Sequence, residues 1–358
     1  TESPRFIEPA KGEWPILRQV IDGLLCADGP VQQQHFLGWL RVAIEALRAG
    51  KRRPGQALTL CGVAQGGKSL LQNLITRLLG GRPGKPYQFM AGKCTHNADL
   101  FGAEHLMIED EEASTDIRSR RAFGAAIKAF IVNEVQHCHG KYRDAVELTP
   151  FWRVTISVND EPEHLQVLPP LDDSLEDKIM LLKATKQPMP MPSDTLEERE
   201  RFWAVLESEL PAFVHYLLED FVVQGDMVCP RFGVTHYHHP AVLSALADLA
   251  PENRLLSFVD AVVFRGPHSN DWCGTAEELQ RQLCDSDYAH EARQLLRHSQ
   301  TCGNYLGRLA KQKPPRVINR RTEYRREWVI RPPGSSNDTL TPCSIVFSGE
   351  NIEEGTVK

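Results

Sequence analysis

Three features are missing from this sequence, and each absence removes a class of protein. The nine cysteines are scattered and include no Cys-x-x-Cys pair, which excludes a zinc ribbon and a disulfide framework. No apolar run approaches the roughly 20 residues that span a bilayer, and no positively charged, then apolar segment opens the chain as a secretory signal does. We therefore expect free thiols, a cytoplasmic location and no membrane association.

An overall excess of positive charge is also missing. The chain of 358 residues has 41 Lys and Arg against 47 Asp and Glu, a net charge of −6. This excludes a uniformly basic coat, so any binding to nucleic acid must depend on local positive patches. The length suits two or three domains with a large core.

Segments rich in Gly and Pro divide the chain into five expected parts. "GKRRPGQ" ends a helical region, and strand and helix patterns then alternate up to "KQPMPMPSD", as in an α/β protein with a parallel sheet. The expected parts are an N-terminal helical, oligomerising segment at 1–50, the α/β core at 51–185, a linker and helical region at 186–265, a small C-terminal domain at 266–333 and a flexible tail at 334–358.

A glycine-rich loop follows the first strand of this core. Gly62, Gly67, Lys68 and Ser69 fit the pattern G-x-x-x-x-G-K-[ST] between an apolar strand and an amphipathic helix. Glycines let backbone N–H groups approach phosphates, Lys68 can reach the β- and γ-phosphates, and Ser69 can bind Mg²⁺. The sequence thus predicts an ATP–Mg²⁺ site. Its expected nucleotide contacts are Gly62, Ala64, Gln65, Gly66, Gly67, Lys68, Ser69 and Leu70.

An acidic motif completes the expected hydrolytic site. In "EHLMIEDEEAS" an apolar strand runs directly into Glu109, Asp110 and Glu111. Acids at the carboxyl edge of a parallel sheet lie in its ligand crevice. We assign Asp110 to the Mg²⁺ ion and Glu111 to the attacking water, and the alternative moves both roles to Glu109 and Asp110.

A third strand, "FWRVTISVND", ends in Asn159. Its amide can hydrogen-bond both the γ-phosphate and the attacking water. A turn-forming Asn-Asp pair explains the same residues equally well.

The order of these features resembles a superfamily 3 helicase of the primase-associated type found in phages, plasmids and mobile elements. The resemblance rests on the Lys68 loop, the acids at 109–111, the segment "AIKAFIVNEVQHCHGKYRDAVELTP" and the strand ending in Asn159. It implies an AAA+-like P-loop ATPase core and a hexameric ring on single-stranded DNA, with ATP between subunits. Duplex origin DNA and a primase are further partners that the resemblance suggests.

The resemblance also implies a hairpin that contacts DNA. Lys128 and Lys141 lie between the acidic motif and the strand that ends in Asn159, and Lys141 falls at the expected hairpin tip next to His139. A cation at such a tip can hold a phosphate as a point charge. The alternative is a surface hairpin with a solvated lysine.

One position departs from the family pattern. Members of this group often carry an Arg pair shortly after the Asn that corresponds to Asn159, but in "LDDSLEDKIMLLKA" the nearest basic position is Lys178. Either Lys178 acts on the ATP of the neighbouring subunit or another basic residue does so. The other candidates are Arg118, Arg120, Arg121 and Arg143.

The C-terminal region combines three short helix patterns with an alternating segment, "RVINRRTEYRREWVIR". This order is typical of a winged helix. Basic residues concentrate there, and we expect Arg320, Arg321 and Arg325 to contact DNA. A docking module for another protein is the alternative.

Two histidine clusters, "HCH" at 137–139 and "HYHH" at 236–239, invite comparison with metal sites. Neither has the spacing of a zinc motif. We expect ordinary surface or core histidines at both places.

Together these features predict an ATP-dependent DNA helicase or translocase, a replicative motor of a mobile element. A nucleotide-regulated, origin-binding protein without motor activity is the alternative. A P-loop ATPase that acts on protein in antiviral defence is a third hypothesis.

Overall fold

The computed structural model describes residues 4–109, 117–265, 270–312, 315–321 and 325–334. By its internal contacts the chain divides into two compact units, Thr1–Leu246 and Ala247–Lys358. The finer division into five parts stays a prediction.

The helices are α1 Pro15–Leu25, α2 Val31–Arg48, α3 Lys68–Leu78, α4 Tyr87–Met90, α5 Ile117–Val132, α6 Pro162–Leu165, α7 Leu196–His215, α8 Pro240–Asp248, α9 Pro251–Val262, α10 Ala276–Cys284, α11 Ala289–Leu295 and α12 Thr301–Leu309. The strands are β1 Ala57–Cys61, β2 Pro83–Gly84, β3 His105–Glu109, β4 Gln136–Cys138, β5 Val146–Leu148, β6 Arg153–Val158, β7 Ile179–Lys183, β8 Val228–Cys229, β9 Gly233–Val234, β10 Trp272–Gly274, β11 Val317–Arg321 and β12 Arg326–Ile330.

A five-stranded parallel sheet in the order β2-β3-β6-β1-β7 forms the centre of the first unit. The strands β1 and β6 are buried along their whole length, which explains their continuous apolar runs. Cys61 is in register with Val158 on one side and with Lys183 on the other. The carboxyl ends of β6, β1 and β7 therefore meet at one edge. The predicted α/β class with a parallel sheet is confirmed.

The N-terminal helices pack into the same hydrophobic core as β1. Leu17 of α1 and Phe36 of α2 join Leu58 of β1 in one buried cluster, which also takes in side chains of α3. Trp39 adds a hydrogen bond from its indole N–H to the carbonyl of Gln56, 2.9 Å away, just before β1. Burial of a large apolar side chain contributes about 1.5–3 kcal/mol, so this cluster fixes β1 firmly.

Polar contacts join α3 to the sheet. Gln72 donates to Thr155 Oγ1 at 2.8 Å and to the carbonyl of Ile108 at 3.3 Å. The His105 ring lies between two threonine hydroxyls, with Nδ1 2.7 Å from Thr76 and Nε2 2.8 Å from Thr155. Burial lowers the pKa of His105 to about 3, which keeps the ring neutral. These contacts set the position of the helix that follows the glycine loop.

The second unit has its own core and sheet. Three antiparallel strands run in the order β10-β12-β11. Ile330 of the central strand β12 pairs with Trp272 of β10 on one side and with Val317 of β11 on the other. Trp328 is buried with side chains of α9, α10 and α12. The alternating segment that follows the three predicted helices thus forms paired strands.

The structure bears on two expectations from composition, those for membrane-spanning segments and for the cysteines. No helix within the described ranges is long and apolar enough to cross a membrane. Within the described ranges seven cysteines are free thiols, but Cys273 is disulfide-bonded, so the expectation of free thiols is wrong at that position.

Candidate nucleotide-binding site

The glycine loop runs from the end of β1 to the start of α3, and its backbone requires glycine at two positions. A Cβ at Gly62 would lie 2.1 Å from the carbonyl oxygen of Ala184, because the chain beyond β7 passes directly against the loop. Gly67 has φ +91° and caps α3, a conformation that residues with a Cβ adopt only with strain. The sequence pattern thus reflects the shape of this loop.

The loop leads into a helix of 11 residues. The first N–H groups of a helix have no partner within the helix, and together with the helix dipole they favour an anion. Ala64, Gln65 and Ser69 are exposed along this edge. The expected nucleotide contacts from Gly62 to Leu70 therefore border one solvent-accessible helix start.

Lys68 is folded back over the loop. Its ammonium donates to the carbonyl oxygens of Gly62 and Val63 at 2.7 and 2.8 Å, and to Asn159 Oδ1 at 2.8 Å. The residue is only 8% exposed. The two loop carbonyls and Asn159 therefore position the ammonium beside the start of α3.

Asn159 directly follows β6, the neighbour of β1 in the sheet. The amide N–H of Gly62 donates to the carbonyl of Val158 at 3.3 Å, which brings the end of β6 against the glycine loop. The structure thus brings together Lys68 and Asn159, two residues that the sequence placed in one site. Their roles stay predictions.

Glu109 is the last residue of β3, one strand beyond β6, and Oε2 accepts from Lys85 Nζ at 2.8 Å. It lies at the same sheet edge as Asn159, since Glu109 is in register with Ser157. Asp110 and Glu111 lie outside the described residues. The choice between these acids and the pair Glu109 and Asp110 stays open.

Lys178 lies at the amino ends of the strands, whereas the glycine loop lies at their carboxyl ends. It directly precedes β7, whose first residue pairs with Ala57 at the amino end of β1. Its side chain is buried, and Nζ lies 2.5 Å from Asp177 Oδ1. The structure does not bring Lys178 to Lys68 of the same chain. Action on a neighbouring subunit stays a prediction, as it does for Arg118, Arg120, Arg121 and Arg143.

Lys183 is a residue at the loop edge that the sequence analysis missed. It ends β7 in register with Cys61, and its ammonium lies 3.1 Å from Asp28 Oδ2. An apolar strand, "IMLLK", that ends in a cation was the available signal. Its significance depended on the strand order, because only the pairing of β7 with β1 places it beside the glycine loop.

The segment around Lys141 contains two short paired strands, β4 and β5. Asn97 holds the start of the connecting loop, accepting from the amide of His139 at 2.7 Å and donating to the carbonyl of His137 at 2.9 Å. Beyond it Tyr142 is 93% exposed, and Lys141 lies over its ring at 5.1 Å. A cavity of about 690 Å³ adjoins this loop. Its lining residues are Thr95, His96, His139, Gly140, Tyr142, Arg143 and Asp144.

The other predicted DNA contacts are exposed. Lys128 lies on α5, and Arg320 and Arg321 end β11. Arg325 is half-exposed and pairs with Glu327 at 2.8 Å. This acid and Glu278, 3.8 Å from Arg325, reduce the local positive field of the ribbon.

Comparison with known proteins identifies the fold. No protein-family model matches the sequence, and no curated protein matches it. The A-form apo structure of the NrS-1 C-terminal region matches with a TM-score of 0.53 and 15% identity, covering 91% of this chain and 77% of that chain. A second apo structure of that region matches with a TM-score of 0.51 and 16% identity, covering 90% of this chain and 77% of that chain.

A structure of JCV helicase with a bound small molecule gives a TM-score of only 0.29 at 11% identity, covering 69% of this chain and 72% of that chain. That likeness is too weak to bear on the fold. The chain thus shares the fold of the NrS-1 C-terminal region, an α/β architecture with a central parallel sheet.

Proposed function

We propose that this chain is an ATP-hydrolysing DNA helicase or translocase of the superfamily 3, AAA+-like type. One observation carries the proposal: Lys68 of the glycine loop and Asn159 of the adjacent strand meet at the start of α3, 2.8 Å apart. A helix start, a fixed ammonium and a neutral amide form the donor set that a triphosphate requires.

The proposed chemistry is phosphoryl transfer to water. Lys68 neutralises charge that develops on the β- and γ-phosphates, and Asn159 orients the attacking water and the γ-phosphate. Glu111, or Asp110 in the alternative assignment, accepts the hydrogen bond of that water.

Magnesium fits the oxygen donors at this edge. Ser69 is exposed in the first turn of α3, and Glu109 ends β3 with a carboxylate; oxygen donors of this kind are the ligands this ion prefers. Bound Mg²⁺ would neutralise phosphate charge, with Ser69 and Asp110 as its proposed protein ligands.

The proposed polymer is single-stranded DNA, bound in a hexameric ring. The anchored loop with Lys141 supports contact with a phosphate backbone, as does exposed Lys128. In the second unit the order α9, β10, three helices, β11 and β12 supports a winged-helix domain, with Arg320, Arg321 and Arg325 on its ribbon. Duplex origin DNA and a primase remain proposed partners.

The test is ATP turnover with and without single-stranded DNA. We expect stimulation by DNA and a loss of at least about 10²-fold in turnover for Lys68→Ala, whereas exposed Lys51→Ala retains wild-type turnover. Nucleotide binding without turnover would favour the regulatory, origin-binding alternative. Turnover that ignores DNA would favour the ATPase acting on protein.

A further inference from the structure

A cluster of three metal-ligating side chains lies away from the glycine loop. Glu176 belongs to the short helical turn Glu176–Lys178 that precedes β7. His236 and His238 belong to the segment between β9 and α8. One ligand atom from each of the three lies within 4.8 Å of the others.

The backbone explains why two histidines of "HYHH" reach this place. The segment runs parallel to the edge strand β7: the amide of Leu181 donates to the carbonyl of Tyr237, and the amide of His239 donates to the carbonyl of Leu181, both at 2.8 Å. Side chains alternate along such an extended segment. His236 and His238 therefore share one side, while His239 contacts Asp28 at 3.0 Å.

The hydrogen bonding of His238 suits a metal ligand. Its Nε2 lies 2.9 Å from the carbonyl oxygen of Ile179. A carbonyl only accepts, so Nε2 carries the proton and Nδ1 keeps its lone pair. Metal-ligating histidines commonly donate their second N–H to a carbonyl in this way.

Nearby positive charge is offset by an acid. Lys178 and Arg231 both pair with Asp177, at 2.5 and 3.6 Å. Asp177 thus neutralises part of the cationic field beside Glu176, which would otherwise oppose a bound cation.

We propose that Glu176, His236 and His238 form a binding site for a divalent transition metal of the Zn²⁺ type. Two imidazoles and one carboxylate are a ligand set that zinc uses with one position left for water. Nitrogen donors disfavour Mg²⁺ and Ca²⁺. The metal would join the segment before α8 to the turn before β7. This turn lies at the amino ends of the strands, away from the glycine loop, so the proposal is independent of ATP hydrolysis.

The experiment uses the metal alone. Protein without a histidine tag is stripped with a chelator, dialysed and titrated with Zn²⁺ by calorimetry, and with Co²⁺ by absorption spectroscopy. We expect one equivalent of Zn²⁺ whose affinity falls at least about tenfold in Glu176→Gln and in His236→Asn. His290→Asn, on α11 of the second unit, is the matched control and retains wild-type affinity.

Two results would overturn the proposal. One is unchanged Zn²⁺ affinity in both variants. The other is a thiolate-to-cobalt charge-transfer band, which would assign the metal to cysteines. Thermal unfolding without metal verifies that the variants fold, and added Zn²⁺ should raise the unfolding temperature of the wild type and of His290→Asn only.

Discussion

The Lys68 ammonium contacts two backbone carbonyl oxygens and one side-chain amide oxygen. This difference matters for the proposed ATP turnover. The carbonyls of Gly62 and Val63 belong to the rigid loop, whereas the Asn159 amide can rotate about its side chain. A γ-phosphate can therefore take the Asn159 contact from the ammonium without disturbing the loop. Under the proposed function, this arrangement would couple a bound nucleotide to the end of β6.

Replacement of Asn159 tests this coupling. We expect Asn159→Ala to lower kcat by about 10²-fold, because a donor to the developing charge and to the water is lost. KM for ATP should change much less, since Lys68 and the helix start remain. Steady-state kinetics measure both constants, with Asn253→Ala on α9 as the control. An unchanged kcat would remove Asn159 from the mechanism.

His105 makes the fold sensitive to acid. Its pKa is about 3 in the folded chain because of burial, against about 6.5 in an unfolded chain. The unfolded state therefore takes up a proton as the pH falls below 6.5, and the folded state does so only near 3. The stability that neutral His105 contributes is complete above pH 6.5 and is lost progressively down to about pH 3.

Urea unfolding at pH 7 and pH 5 measures this loss. The wild type should lose about 2 kcal/mol more than His105→Gln over this interval, from about 1.4 kcal/mol per pH unit. His298→Gln, at an exposed position, should follow the wild type. Equal losses in the wild type and in His105→Gln would show that this ring titrates normally.

At the scale of elements, the junction of β1, β7 and α3 depends on the absence of a side chain at residue 62. Gly62→Ala would place a Cβ 2.1 Å from the Ala184 carbonyl, so the strands must move apart. We expect a loss of about 1–3 kcal/mol in stability together with weaker ATP binding. Gly225→Ala, where nothing lies within 4 Å of the added Cβ, should be nearly neutral. Thermal unfolding and nucleotide titration of both variants provide the measurement.

The β4–β5 element offers a salt-dependent test of DNA contact. If Lys141 neutralises one phosphate, Lys141→Ala should reduce the slope of log affinity against log salt concentration by about 0.7 for single-stranded DNA. ATP turnover without DNA should be unchanged. Exposed Lys93→Ala is the control. A slope equal to that of the wild type would reduce Lys141 to a solvated surface residue.

The elements also show which inferences a sequence permits. The strand, glycine loop and α3 were predictable because their signals are local: an apolar run, a required positive φ at Gly67 and an amphipathic helix. The strand order β2-β3-β6-β1-β7 was not, because it depends on long-range packing. For the same reason, the spacing of "HYHH" did not indicate a metal site: Glu176, the third proposed ligand, is distant in sequence and approaches only through the pairing of this segment with β7.

At the scale of the whole molecule, a chain with net charge −6 is proposed to bind a polyanion. This requires that the assembly concentrate its cations, since only local fields act within a Debye length of about 8–10 Å. A ring around the strand satisfies this condition, because Lys141 of every subunit would face the same channel. Particle images in an ATP analogue should show closed rings with a central pore, and monomers under all nucleotide conditions would contradict the hexamer.

Ring assembly gives Lys178 a decisive test. Its distance from Lys68 along the sheet means that it can act only on a neighbour's nucleotide, after release from Asp177. Lys68→Ala and Lys178→Ala should each be inactive alone. In mixed rings, a Lys178→Ala subunit has an intact loop and receives Lys178 from a Lys68→Ala neighbour, so equal mixing should restore about a quarter of the wild-type interfaces.

The ATP turnover of the mixture is the measurement, and a mixture of Lys68→Ala with the wild type is its control. Turnover that stays absent in the first mixture would exclude action in trans by Lys178. Full activity of Lys178→Ala alone would direct the search to another basic residue. Arg231 then becomes the first to test, because it pairs with the same Asp177 and its side chain is 45% exposed, which leaves it accessible to an adjacent subunit.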